Sequence, residues 1–155
     1  MGSSAFTSTS GIEYSDHITK TSAKVMVNGD VIFTVVGDVQ ILSLISECIT
    51  ANNATASTLQ YSVTTALAQT QTITGVSGVL TNAIAGTTIV TPGAALTDIP
   101  IISASGVTLN TTARGIRIPP GSITTVIGVG STTGTWQHYV RWEPLEDGAY
   151  IIAAF

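Results

Sequence analysis

Apolar and polar positions alternate over short distances along most of this chain, and that period of two predicts strands rather than helices. Val25-Met26-Val27, the pair Asn28-Gly29 and the run Asp30-Val31-Ile32-Phe33-Thr34-Val35-Val36 predict two strands joined as a hairpin. Asn-Gly suits the two positive φ angles of a type I′ turn. Gly37-Asp38 marks the next turn. Residues 39–50 fit two periods. Val39, Ile41, Ile45 and Ile49 alternate as in a strand, whereas Val39, Leu42, Ile45 and Ile49 fit a helical face. The neighbouring hairpin signals and the β-branched content favour a strand there.

Further along, residues 59–65, 99–103, 107–110, 116–118 and 123–129 predict short strands, and 130–134 a loop. Pro119-Pro120-Gly121 suits a type II turn, with Gly121 at the positive φ. The C-terminal pattern is the clearest. Trp136, His138, Val140 and Trp142 share one face, while Gln137, Tyr139, Arg141 and Glu143 share the other. A turn over 144–148 and a return over 149–155 predict a second hairpin with an aromatic-rich face. About ten short strands at a spacing of roughly 8–12 residues predict an all-β fold, an antiparallel β-sandwich or jelly roll. Residues 1–22 are rich in Ser and Thr without strong periodicity. They read as an N-terminal arm, with the β-sandwich domain covering 23–155.

Composition reinforces the strand reading. The 155 residues include 26 Thr, 18 Ile and 14 Val, all β-branched and suited to a pleated surface. Only 9% are charged, with five Lys and Arg in total and a net charge of −4. A nucleic-acid surface needs clustered cations, so direct nucleic-acid binding is not expected. No apolar run approaches the length of a membrane helix, and no secretory signal is evident. Cys48 is the single cysteine, which excludes an internal disulfide and a cysteine-only zinc site.

The search for chemistry returns turn residues instead. Asp30, Asp38, Asp98 and Asp147 stand next to or near Gly or Pro, where Asp side chains cap turns. Glu13 with Asp16, and Glu143 with Glu146, could form carboxylate pairs, but solvated turns explain them as well. Gly128-Val-Gly130-Ser-Thr-Thr-Gly134 lacks the lysine of a phosphate loop, and its glycines read as turn residues. His17 and His138 have no partners at catalytic or metal-ligand spacing. No enzyme activity, catalytic residue, metal or cofactor is therefore expected.

Residues 48–97 form fifty consecutive positions without Asp, Glu, Lys or Arg. A free surface normally carries charge, so this stretch predicts cover by other subunits, as in obligate interfaces. The candidate contact residues are Phe6, Ile12, Tyr14, Arg114, Arg117, Trp136 and His138.

Three segments carry a family resemblance. They are Gly-Asp-Val-Gln-Ile-Leu-Ser-Leu-Ile-Ser-Glu at 37–47, Ile118-Pro-Pro-Gly-Ser-Ile123, and the run from Gly134-Thr-Trp-Gln-His to Pro-Leu-Glu-Asp-Gly-Ala149. In this order they resemble small β-rich virion proteins of tailed bacteriophages, while residues 66–113 find no counterpart. The resemblance implies a capsid decoration (cement) protein on the virion surface. It would be a homo-oligomer, often a trimer, with the major capsid protein as partner, and no functional residues come with it. A receptor- or glycan-binding fibre tip is the alternative, with the aromatics around Trp136 and Trp142 stacking on sugar rings.

Overall fold

The computed structural model describes residues 16–92, 101–103, 115–129 and 131–155. Their secondary structure is all strand, arranged as two antiparallel sheets. The strands are β1 (His17–Lys20), β2 (Lys24–Val27), β3 (Val31–Val36), β4 (Val39–Cys48), β5 (Thr58–Thr65) and β6 (Thr70–Thr72). They continue as β7 (Thr88–Pro92), β8 (Ile101–Ser103), β9 (Ile116–Ile118), β10 (Gly121–Gly128), β11 (Ser131–Pro144) and β12 (Tyr150–Ala153).

The seven-stranded sheet is built on its two long strands, β4 and β11, which pair from Trp136 opposite Cys48 to Pro144 opposite Val39. The far edge of β11 is shared by β1 and β2, and that of β4 by β7 and β9. β8 extends the sheet beyond β7. The five-stranded sheet runs β12-β3-β10-β5-β6. Between the layers lies a core that includes Phe33, Leu59, Tyr61 and Ile123 from the five-stranded sheet. Ile41, Ile89, Trp136 and Val140 face them from the other. This is the β-sandwich that the short, alternating strands predict.

The expected hairpins are corrected. β2 pairs with β11, whereas β3 pairs with β10 and β12, so the Asn28-Gly29 turn carries the chain from one sheet to the other. The N–H of Asp30 donates to the carbonyl of Val27 at 3.1 Å, and Gly29 alone of the two central residues has positive φ (+85°). That is type II geometry, in which only the third residue is left-handed. Type I′ turns match the twist of paired strands, and the unprimed types splay them. The C-terminal pair behaves alike: β11 and β12 belong to different sheets. A genuine hairpin forms instead between β5 and β6.

Residues 39–48 are strand throughout, and a bulge explains their mixed period. Arg141 lies opposite Ser43 and Trp142 opposite Ile41, which leaves Leu42 as the extra residue. Val39 and Ile41 are buried before the bulge, and Leu44, Ser46 and Cys48 after it. The inward phase moves by one position, so no single period describes the segment.

Gly121 also has a different reason from the one expected. It is the first residue of β10 and does not have positive φ. A Cβ there would stand 2.3 Å from the carbonyl oxygen of Thr64, so glycine is required by the close approach of β5. Gly134 lies within β11 rather than in a loop, and its Cβ would stand 2.0 Å from the carbonyl oxygen of Thr50. β1 falls inside the expected arm: His17–Lys20 pairs with β11, and Thr21 is buried. Residues 1–15 and the strand expected at 107–110 lie outside the described residues.

Candidate functional site

Two arrangements stand out once the strands are assembled: a polar chain inside the sandwich and an uncharged face outside it. The inner one starts from register. His138 on β11 sits directly opposite Ser46 on β4, both on the inward face. Their side chains meet, with Nδ1 of His138 2.7 Å from Oγ of Ser46. From the other sheet, Oη of Tyr61 on β5 comes within 2.5 Å of the same Oγ. One serine hydroxyl therefore joins the two layers. The backbone of His138 is held by Thr21, whose Oγ1 accepts its N–H at 3.0 Å and whose own N–H donates to its carbonyl at 2.9 Å.

Hydrogen-bond counting sets the proton order. Nε2 of His138 is buried and makes no hydrogen bond among the described residues. If Tyr61 donates to Ser46 and Ser46 donates to Nδ1, one buried donor, Nε2–H, is left over. The reverse order strands both the tyrosine proton and the Nε2 lone pair. The first order costs less, because each unpaired buried group carries a desolvation penalty. Burial holds the His138 pKa down at about 3, with a small opposing contribution from Asp30, so the ring is neutral at neutral pH. Burial likewise pushes the Tyr61 hydroxyl up, against the lowering effect of its bond to Ser46.

A serine hydroxyl on an imidazole has the outline of a nucleophile and its base. Here Ser46 and Tyr61 are wholly enclosed and His138 is 1% exposed, so a substrate atom has no route to the oxygen. The arrangement is a polar tie across the core. Sequence reading missed it because Ser46 looks like any polar residue in an apolar strand; only the bulge places it opposite His138.

The expected contact residues separate. Phe6, Ile12, Tyr14 and Arg114 lie outside the described residues. Arg117 is exposed on β9 and pairs with Asp38. Trp136 (0% exposed) and His138 belong to the core of a single chain and offer no surface to a neighbour. Trp142 is 5% exposed, its Nε1 donating to Thr19 Oγ1 at 3.0 Å and its ring stacked on His17. With both tryptophans enclosed, the sugar-stacking face expected of a fibre tip is absent from this strand. Among the described residues no group of three or more His, Cys, Asp or Glu side chains is placed to hold a metal ion.

Outside, charge is segregated by sheet. The seven-stranded sheet carries His17, Lys20, Lys24, Glu47, Arg117, Arg141 and Glu143. Arg141 binds Asp16, and the bond from the guanidinium lowers the Asp16 pKa. Glu143 is raised, by partial burial first and by neighbouring Asp16 next. Tyr139 donates to Glu47 at 2.9 Å. The five strands of the other sheet contain no Asp, Glu, Lys or Arg at all. The uncharged stretch of sequence thus contributes β5 and β6 to a larger neutral unit. Some of it is core (Leu59, Tyr61, Ile73, Leu80), and some is surface in the single chain, with Leu67 85% exposed and Val76, Val79 and Ile84 also outside.

No protein-family model matches the chain, and no curated protein sequence does. A search of solved structures finds a weak likeness to a chain in the structure of infectious bursal disease virus, Gx strain. The two share 11% identity at a TM-score of 0.25. The match covers 90% of this chain and spans 36% of the viral one.

Proposed function

We propose that this chain is a structural protein of a virus particle. In its specific form it is a decoration (cement) protein that binds the outer surface of a tailed-phage capsid and ties neighbouring capsid subunits together. The observations that carry the reading are the charge-free five-stranded sheet and the exposure of Leu67, Val76, Val79 and Ile84. A lone soluble domain has little use for such a surface, whereas a protein packed among other subunits does. The sequence resemblance of 37–47, 118–123 and 134–149 to small phage virion proteins points the same way.

In this role the chain is a non-catalytic homo-oligomer with the major capsid protein as its partner. Its mechanism is multivalency: many modest contacts, repeated over the shell, resist internal pressure without one exceptional bond. Immunogold labelling of intact purified virions with an antibody to the chain tests the proposal. Regular labelling over the head supports it. Labelling confined to the tail, or none on intact particles, overturns it. Cosedimentation of the purified chain with capsids lacking it gives a second measurement, and failure to bind at micromolar concentrations also counts against it.

A further inference from the structure

The outer face of the five-stranded sheet allows a more specific statement, resting on the proposed reading of the chain as an assembling structural protein. We infer that this face is covered in solution by a second copy of the chain, sheet packed against sheet.

Register lays out the face. Ile152, Thr34, Ser122, Thr64 and Thr70 stand in one rank across all five strands. Thr124 and Thr72 lie in a second rank on either side of buried Ser62, with Val126 and Tyr150 outward on their own strands. Four of the seven hydroxyls in these ranks bond within the sheet. Thr64 and Thr70 bond each other at 2.9 Å, Ser62 donates to the Gln71 carbonyl at 3.2 Å, and Thr124 donates to the Ser62 carbonyl at 3.3 Å. Removing water from a hydroxyl is costly when its bond is lost, and here the bonds stay with the sheet. What remains outward is threonine methyl groups with the hydroxyls of Thr34, Ser122 and Thr72, flanked by Val126, Tyr150 and Ile152.

Charge selects a copy of the same chain as the occupant. The protein carries a net charge of −4, so two copies repel over most approaches. On this face they meet without setting any like charges together. A neutral patch is complementary to itself, whereas a partner recognised by ion pairs has nothing to hold there. The area suits a reversible association. Strands of 4, 6, 8, 8 and 3 residues, at about 4.8 Å spacing and about 3.3 Å rise, give a face of roughly 460 Å². Two such faces bury roughly 900 Å², the size of a weak, transient contact. Sheets pack naturally in this way, about 10 Å apart.

Sedimentation velocity of the full chain tests the inference, alongside the double variant Thr64→Lys/Thr124→Lys and the variant Ile18→Lys. Ile18 is an exposed apolar residue on the ionic sheet, opposite Arg141. The wild-type chain is expected to associate at micromolar concentration. The double variant should dissociate, with a dissociation constant at least about 100-fold higher, because each lysine would be buried without a partner. Ile18→Lys should match wild type. Far-UV circular dichroism checks that the variants fold. A Thr124→Cys chain supplies a second reading. Its introduced thiol should be shielded from maleimide in the associated form and reactive on dilution, while Cys48 stays buried. A monomeric wild type, association that survives the double variant, or an introduced thiol that reacts equally at all concentrations overturns the inference. A monomer that still binds capsids sinks this inference and spares the proposed capsid binding. An oligomer that ignores capsids does the reverse.

Discussion

Replacing Ser46 with Ala should destabilise the protein far more than the loss of one oxygen suggests. Among the described residues, Ser46 Oγ is the partner of both the Tyr61 hydroxyl and Nδ1 of His138, at 2.5 and 2.7 Å, and all three residues are enclosed. Removing it leaves two buried polar groups unpaired, each costing about 1–3 kcal/mol. The expected loss is therefore about 2–6 kcal/mol, enough to exhaust much of a typical domain's stability. Tyr61→Phe removes only the end of the chain. Ser46 then keeps its bond to His138, so the loss should be about 1 kcal/mol. In the Ser46→Ala/Tyr61→Phe double variant one of the two orphaned groups is gone, and part of the Ser46→Ala cost should return. Urea unfolding followed by tryptophan fluorescence provides the assay, since Trp136 and Trp142 both lie in the core. Should Ser46→Ala cost no more than Tyr61→Phe, the hydroxyl does not tie the sheets.

Acid should weaken the fold through His138. Its folded pKa of about 3 lies below the ordinary 6.5, so the unfolded chain takes up the proton first. This contribution to stability is complete above pH 6.5 and is lost as pH falls towards 3, with a slope approaching about 1.4 kcal/mol per pH unit. The slope attributable to this residue, measured by urea titrations at several pH values, should vanish in His138→Gln. Gly134→Ala should prevent soluble expression or lower the melting temperature sharply, because its Cβ would fall 2.0 Å from the Thr50 carbonyl oxygen, which is backbone. Asn52→Ala should cost about 2–4 kcal/mol by thermal melting, since several buried bonds go at once. Asn52 Oδ1 accepts from the Gly134 N–H and from Trp136 Nε1, and its Nδ2 donates to the Leu80 carbonyl.

Alternation made the strands legible because it records burial, and burial is local to each residue. Trp136, His138, Val140 and Trp142 were placed on one face by spacing alone, and all four are buried. Pairing was not legible in the same way. Asn28-Gly29 serves a type I′ or a type II turn equally well, and which one forms depends on whether the next strand stays in the sheet. Gly121 and Gly134 signal crowding by a neighbouring strand, which sequence displays no differently from a turn. Ser46 is invisible without the bulge that rotates it inward. The neutral surface was legible only in part. A charge-free run pointed to residues 48–97, but β3, β10 and β12 come from elsewhere in the chain and complete the face.

The position of the two hub strands in the sequence has a consequence for synthesis. β10 lies at the centre of the five-stranded sheet and β11 holds together the seven-stranded one, yet both fall after residue 120. A ribosome that has released the first hundred residues has delivered strands whose principal neighbours do not yet exist. Folding must wait for distant segments to meet, which is slow and leaves bare strand edges in the interim. Such a chain should depend on chaperones that hold nascent polypeptides, and truncation before Pro144 should yield insoluble protein rather than a smaller domain.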